Sequence, residues 1–203
     1  MKIIIAGAYA IGTHLARLLS RDHDDIVVMD NDEERLSRIG SDVDILTMEA
    51  SSTSVKALKK AGAESADLFI AVTPDESQNM ASCVLAKALG TRKTVAKIDN
   101  SEYIEPDLKE FFAGLGVSSI IYPEMLAATD INNGLKMSWV RQRWDVHGGA
   151  LVMLGVKLRE SCTILDRPMR DICGPEDPYH IVAIKRQGET IIPGGNDCLQ
   201  MYD

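Results

Sequence analysis

A doubly wound parallel α/β sheet followed by a small α+β unit is the fold class that this sequence predicts, and three observations predict it. Short β-branched runs alternate with amphipathic helical stretches from Lys2 to Tyr122, the rhythm of strand–helix–strand crossovers. The runs are nearly continuously apolar rather than alternating, as strands buried on both faces require. The first run ends in a glycine turn that opens a helix, Gly7-Ala8-Tyr9-Ala10-Ile11-Gly12.

In chain order the expected strands are Lys2–Ala6, Asp25–Asp30, Asp44–Met48, Leu68–Val72, Thr94–Ile98 and Ser119–Ile121. Helices are expected between them at Ile11–Ser20, Glu33–Ile39, Ser54–Ala61, Asp75–Leu89 and Asp107–Ala113. Each connection then makes a right-handed crossover. Thr73-Pro74-Asp75-Glu76 reads as a helix start, with Thr73 capping, Pro74 in the first helical position and Glu76 completing a capping box. Asn31-Asp32-Glu33-Glu34 serves the same purpose after the second strand. A sixth helix, Pro123–Lys136, carries Met125, Ala128, Ile131 and Leu135 along one face. From Trp139 the rhythm changes to short strands at Ala150–Leu158, Ile181–Lys185 and Thr190–Ile192, with Gly188-Glu189 as a hairpin turn. The expected division is therefore 1–138, the sheet domain with its crossover helix, and 139–203, the small unit.

Composition narrows the function. Aromatic residues make up 5%, so the core must be built from Ile, Val, Leu, Ala and Met. The net charge of −8 argues against a phosphate-backbone surface, and no nucleic acid is expected as partner. The apolar runs are strand-sized and too short to span a bilayer, and the N-terminus runs straight into the glycine turn instead of a cleavable apolar helix. These features predict a cytoplasmic chain with no direct membrane insertion. Cys83, Cys162, Cys173 and Cys198 are scattered without a paired spacing, which reads as reduced thiols. The nine methionines read as packing. The acidic cluster Asp22, Asp24 and Asp25 reads as a solvated loop, and no metal site is expected.

The glycine turn carries the chemistry. In a dinucleotide fingerprint the first glycine makes the tight turn, the middle one admits the pyrophosphate, and the last lets helix and strand pack closely. Gly7 and Gly12 hold the outer positions, whereas Tyr9 holds the middle one. Asp30 ends the second strand, where a carboxylate accepts hydrogen bonds from an adenosine ribose and repels a 2′-phosphate. Together these place a Rossmann-type nucleotide site at the carboxyl edge of the sheet.

These residues resemble the regulatory RCK domains of the Trk and Ktr potassium-uptake systems, and most of all the Trk A subunits. The resemblance is carried by Met1–Ala8, Val28-Met29-Asp30, Ala61–Thr73, Asp75–Met80, Thr94–Ile98 and Tyr122-Pro123-Glu124. It continues through Val156-Lys157-Leu158, Ile181–Arg186 and Ile191–Gly194 of the small unit. It implies a regulatory subunit, not an enzyme, that binds NAD(H), or in related systems ATP and ADP, and gates a membrane potassium-translocating subunit. It also implies a homo-oligomer, a dimer assembling into a ring, whose crossover helix starts at Pro123.

Carried over by position, the phosphate turn is Gly7, Ala8, Tyr9, Ala10, Ile11 and Gly12, and the ribose carboxylate is Asp30. Ser51, Ser52, Thr73 and Pro74 line the adenine and nicotinamide sides. Lys97 stands where the family usually has Arg, as a point charge rather than a fork, and Ala50 where it tends to have Gly. If Tyr9 folds away from the turn a nucleotide fits; if it fills the pyrophosphate space the site is vestigial and the chain a scaffold. Trk A subunits often hold two such units in tandem, so the stop near Asp203 is expected to leave a truncated half. The rivals are an NAD-dependent oxidoreductase and a methyltransferase. His14, His23, His147 and His180 form no evident constellation for the first, and the second leaves the appended unit unexplained.

Overall fold

Ile3, Ile4 and Ile5 of Lys2–Ala6 (β1) are all inaccessible to solvent, which requires a strand covered on both faces. The computed structural model describes all residues except 23–24, 40–44, 137–138 and 175. The chain divides into two units, Met1–Ala128 and Thr129–Asp203.

In the first unit, β1 lies between Asp25–Asp30 (β2) and Leu68–Ala71 (β4). Leu46–Glu49 (β3) extends one side, and Lys93–Lys97 (β5) and Ser119–Ile121 (β6) the other. The order is β3-β2-β1-β4-β5-β6 with every pairing parallel, the expected doubly wound Rossmann sheet. Because side chains alternate across a strand, the apolar runs feed two cores. Ile3, Ile5, Ile26, Val28 and Val72 pack with Ala16 of Ala10–Leu19 (α1) and Leu36 of Glu33–Ser37 (α2). Ile4, Ala6, Met29, Phe69 and Ala71 pack with Leu58 of Val55–Ala61 (α3) and with Met80, Cys83 and Ala86 of Glu76–Leu89 (α4). Each fully buried Ile, Phe or Met contributes about 1.5–3 kcal/mol relative to exposure. Pro106–Gly114 (α5) precedes β6.

Local chemistry sets the helix ends. Asp32 caps α2 by accepting the Arg35 amide at 3.1 Å, and Ser54 caps α3 by accepting that of Ala57 at 3.3 Å. The expected cap of α4 is corrected: Asp75, not Thr73, accepts the Gln78 amide at 3.1 Å. Thr73 is engaged elsewhere, its hydroxyl donating to Asn79 Oδ1 at 2.7 Å. Glu76 does not close a box either; its Oε2 accepts the amides of Asp99 and Asn100, both at 2.9 Å. The expected start of the third strand at Asp44 lies outside the described residues, as do His23 and Asp24.

Pro123–Lys136 (α6) is the sixth helix, and Met125, Leu126, Ile131 and Leu135 on it are all exposed. In the second unit Val140–Val146 (β7) and Leu151–Val156 (β8) form an antiparallel hairpin. Ile184–Arg186 (β9) and Glu189–Ile191 (β10) form another. The β9–β10 turn is Gln187-Gly188 rather than Gly188-Glu189. Both its residues have positive φ, 51° and 91°, the backbone that matches strand twist in a two-residue turn. Met169, Ile172, Ile184 and Leu199 make the small core of this unit.

Candidate functional site

The order β3-β2-β1-β4-β5-β6 reverses direction between β1 and β4, and ligands of open α/β sheets bind beyond the strand ends at that point. The chain crosses there at Gly7, whose φ is 109° and whose amide donates to Met29 O at 2.8 Å. A side chain at Gly7 would meet the backbone of Val72 and Thr73 within 3.0 Å. Gly12 is buried with its α-carbon against the Gly7 carbonyl, so α1 can only approach the sheet this closely without a Cβ.

Between these glycines Ala8 is buried, its amide donating to Asp30 Oδ2 at 2.8 Å. Tyr9 is the N-cap residue of α1, with extended backbone (φ −81°, ψ −175°) and no side-chain cap. Ala10 and Ile11 begin the helix, and its first turn carries no acidic residue. A helix N-terminus without a side-chain cap leaves donors and a positive dipole end for an anion.

Asp30 is the centre of the site, with a side chain only 5% exposed. Beside the Ala8 amide it accepts, on Oδ1, the Asp32 amide at 3.0 Å and the Arg35 guanidinium through Nε at 3.3 Å and Nη2 at 3.2 Å. Arg35 also pairs with Asp32 at 3.0 Å and lies over the Tyr9 ring, 4.3 Å from its centroid. Burial pulls the Arg35 pKa down, but the hydrogen bond and charge of Asp30, with Asp32 and Tyr9, outweigh it and hold it above its ordinary value. The guanidinium stays charged.

A cavity of about 200 Å³ opens here, lined by Tyr9, Met29, Asp30, Arg35 and Ala50 together with Ser52, Thr73, Pro74 and Gln78. Gln78 Nε2 donates to Ser52 Oγ at 3.1 Å, tying α4 to the loop after β3. Asn79 is buried and fully engaged: its amide group donates to the Thr73 and Lys97 carbonyls at 2.9 and 3.0 Å, and its Oδ1 accepts the Thr73 amide at 2.9 Å. This clamp holds the ends of β4 and β5 in register with the pocket rim.

The structure therefore brings Tyr9, Asp30, Ser52, Thr73 and Pro74 to one cavity, with Gly7 and Gly12 shaping the turn beside it. Ser51 bonds Thr53 through the two hydroxyls at 2.9 Å and Lys97 pairs with Asp99; neither lines the cavity. Arg35, Gln78 and Asn79 are the residues that sequence reading missed. Arg35 follows the capping Asp32 by one helical turn, and that spacing was the signal that could have found it.

Of the histidines, His14 lies on the exposed face of α1, and His147 and His180 are exposed in the second unit. Among the described residues no group of three or more His, Cys, Asp or Glu is placed to hold a metal, and no helix is long and apolar enough to cross a membrane.

Known proteins are similar to this chain in sequence and in fold. A Trk system potassium uptake protein TrkA homolog of Archaeoglobus fulgidus is 29% identical over 204 residues, covering 100% of this chain and 46% of that protein. Its counterpart in Methanothermobacter thermautotrophicus is 30% identical over 193 residues, covering 95% and 86%. The chain thus spans about half the length of the first of these relatives.

Among solved structures, the GsuK RCK domain superposes with a TM-score of 0.56 at 17% identity, covering 99% of this chain and 42% of that one. GsuK bound to ADP gives 0.54 at 22%, covering 68% and 34%. A Shewanella denitrificans Kef C-terminal domain in AMP-bound form gives 0.52 at 19%, covering 68% and 82%. At these identities the structures speak for the fold. The model of the TrkA-N domain matches residues 3–123, from the first strand through the glycine turn to the start of α6. With the sheet order, the glycine turn and Asp30 all inside that match, the resemblance read from the residues holds, and the chain belongs to the TrkA-N domain family.

Proposed function

We propose that this chain is a nucleotide-sensing regulatory module of a potassium-uptake system, acting in the cytoplasm on a membrane potassium-translocating subunit. The observation that carries the reading is the buried Asp30 carboxylate beside the uncapped N-terminus of α1. The pair offers acceptors for a ribose diol and donors for a phosphate. The ligand class is an adenine nucleotide, NAD(H) or ATP/ADP; the AMP-bound and ADP-bound states of two fold neighbours support that class. Residues 1–138 form the binding domain and 139–203 the small second domain.

The chain is a switch and not an enzyme in this reading. A ligand that binds two arrangements of a homodimer with different affinity shifts their populations. The exposed Met125, Ile131 and Leu135 on one side of α6 make that side the face for a second copy, and dimers assemble into a ring beneath the translocator. A second reading, a scaffold with a vestigial site, is favoured by the fact that Arg35 already occupies the Asp30 carboxylate.

A thermal-shift titration of the purified chain with NAD, NADH, ATP, ADP, NADP and S-adenosylmethionine separates them. A ligand at a hundred times its Kd stabilises by about 2.7 kcal/mol, a rise of about 5–11 °C for a chain of this size. Asp30→Ala should abolish that rise. No rise with any ligand leaves the scaffold reading standing.

A further inference from the structure

We propose that Arg35 is a displaceable latch that makes this site accept 5′-phosphorylated adenosine and reject the bare nucleoside; the proposal rests on the adenine-nucleotide reading above. The Asp30 carboxylate offers about two acceptor positions on each oxygen; the Asp32 amide and two nitrogens of Arg35 crowd onto Oδ1, while Oδ2 takes the Ala8 amide and keeps one position open. The two amides belong to the turn and to the cap of α2, so they stay. A ribose diol can gain both of its hydrogen bonds to Asp30 only by displacing Arg35.

The latch is built to move. Its bonds to Asp30, 3.2–3.3 Å, are long beside the 2.7–2.9 Å of tight charge-assisted pairs. Its side chain is 31% exposed, and its second carboxylate partner, Asp32, lies on the solvent side with 36% exposure. With Tyr9 it lines both of two cavities, as a shared wall: the pocket of about 200 Å³ at Asp30 and a wider space of about 480 Å³ along Ala8, Ala10, Thr13 and His14 of the turn and α1, which Arg17 and Arg38 also line. The smaller pocket lies under the roughly 300–1,000 Å³ that ligand sites usually provide; moving the Tyr9–Arg35 wall opens one into the other. The wider space starts at the α1 N-terminus, where a 5′-phosphate would find amide donors. Arg35 already faces it.

The exchange balances charge. A nucleoside that evicts Arg35 gives the guanidinium nothing in return. A nucleotide offers its phosphate as the new partner, so Arg35 leaves one anion for another while Asp30 takes the ribose. Tyr9, at the position where the fingerprint has glycine, holds Arg35 in the closed setting by cation–π contact.

The test compares adenosine with AMP by isothermal titration of the 203-residue chain, wild type and Arg35→Gln, with Arg35→Lys as a second variant that keeps charge without the fork. For Arg35→Gln the latch predicts opposite shifts: adenosine binds several-fold tighter because its competitor is gone, and AMP about tenfold weaker because a phosphate partner is gone. Arg35→Lys should fall between. A purely structural role for Arg35 moves both ligands the same way, and that result, or no change in either, overturns the latch. Wild-type protein that binds none of AMP, ADP and NADH overturns the nucleotide reading itself, whatever the variants do.

Discussion

Replacing Gly7 by Ala should destabilise the first unit by about 3 kcal/mol, and the structure supplies both parts of that figure. Gly7 sits at φ 109°, where an L side chain costs roughly 1–2 kcal/mol. Its added Cβ would stand 2.9 Å from the Thr73 nitrogen and 3.0 Å from the Val72 carbonyl carbon and oxygen. Those atoms are backbone at the end of β4, held from behind by the Asn79 clamp, so the overlap is relieved only by parting β1 from β4. Overpacking of that kind costs about 1–3 kcal/mol. For a chain of this length each kcal/mol lowers the melting point by about 2–4 °C, so the transition should fall by about 6–12 °C. Differential scanning calorimetry reads it directly. The control is Gly134→Ala in α6, where nothing lies within 4 Å of the added Cβ, and Ala in place of a helical Gly should gain up to about 1 kcal/mol. A Gly7→Ala protein melting within about 1 °C of the parent would refute the close-packed turn, as would equal losses in both variants.

Two other consequences are open to measurement. Burial pushes the Cys83 thiol up to about 12 against the smaller pull of the Ala71 and Val95 backbone, so Cys83 should resist iodoacetamide in the folded chain at neutral pH while Cys162, Cys173 and Cys198, all partly exposed, react. Modification of Cys83 before unfolding would contradict its burial. Arg186 grips Asp203 through Nε–Oδ1 at 2.8 Å and Nη2–Oδ2 at 2.6 Å, and that hydrogen bonding holds the Asp203 carboxyl below its usual range against the opposing effect of burial. A lowered pKa gives stability that is present above the ordinary aspartate value of about 3.9 and is lost as pH falls through the depressed one. The second unit should therefore lose stability on acidification in that window, and Asp203→Asn should be less stable at neutral pH with a flatter acid limb. An acid limb identical in the two proteins would show that the pair does not act.

How much of this was legible before the fold was known depends on what kind of force set each feature. β1 and β2 were readable to the residue because their apolar runs end up buried on both faces of a parallel sheet; β6, a half-buried edge strand, was readable from its place after the fifth crossover. β7 was not foreseen: Val140-Arg141-Gln142-Arg143-Trp144-Asp145-Val146 is mostly exposed and carries three charges, and its strand state comes from pairing with β8 rather than from burial. The cap of α4 went to Asp75 because Asn79, one turn along the helix, claims Thr73 for a buried clamp; no local rule contains that competition. The glycine turn and Asp30 were legible because their roles follow from backbone geometry and charge at fixed places in a strand–turn–helix unit. Gln78 was not, since α4 brings it to the pocket only through the packing of the crossovers, and Arg35 was marked only by its spacing of one turn from the capping Asp32. Tyr9 was the open question of the sequence, and the structure answers it with a place: over Arg35, as part of the wall between two cavities.

The claim that the carboxyl edge of the sheet is a nucleotide site is tested most directly by hydrogen–deuterium exchange of the chain with and without ADP, and separately with and without NADH. The account predicts that at least one of them slows exchange at Ala8–Gly12, at Ser52 and at Thr73 together, since these converge on the same cavity or line the turn beside it. Slowed exchange confined to residues 139–203, or none anywhere at millimolar ligand, would contradict it.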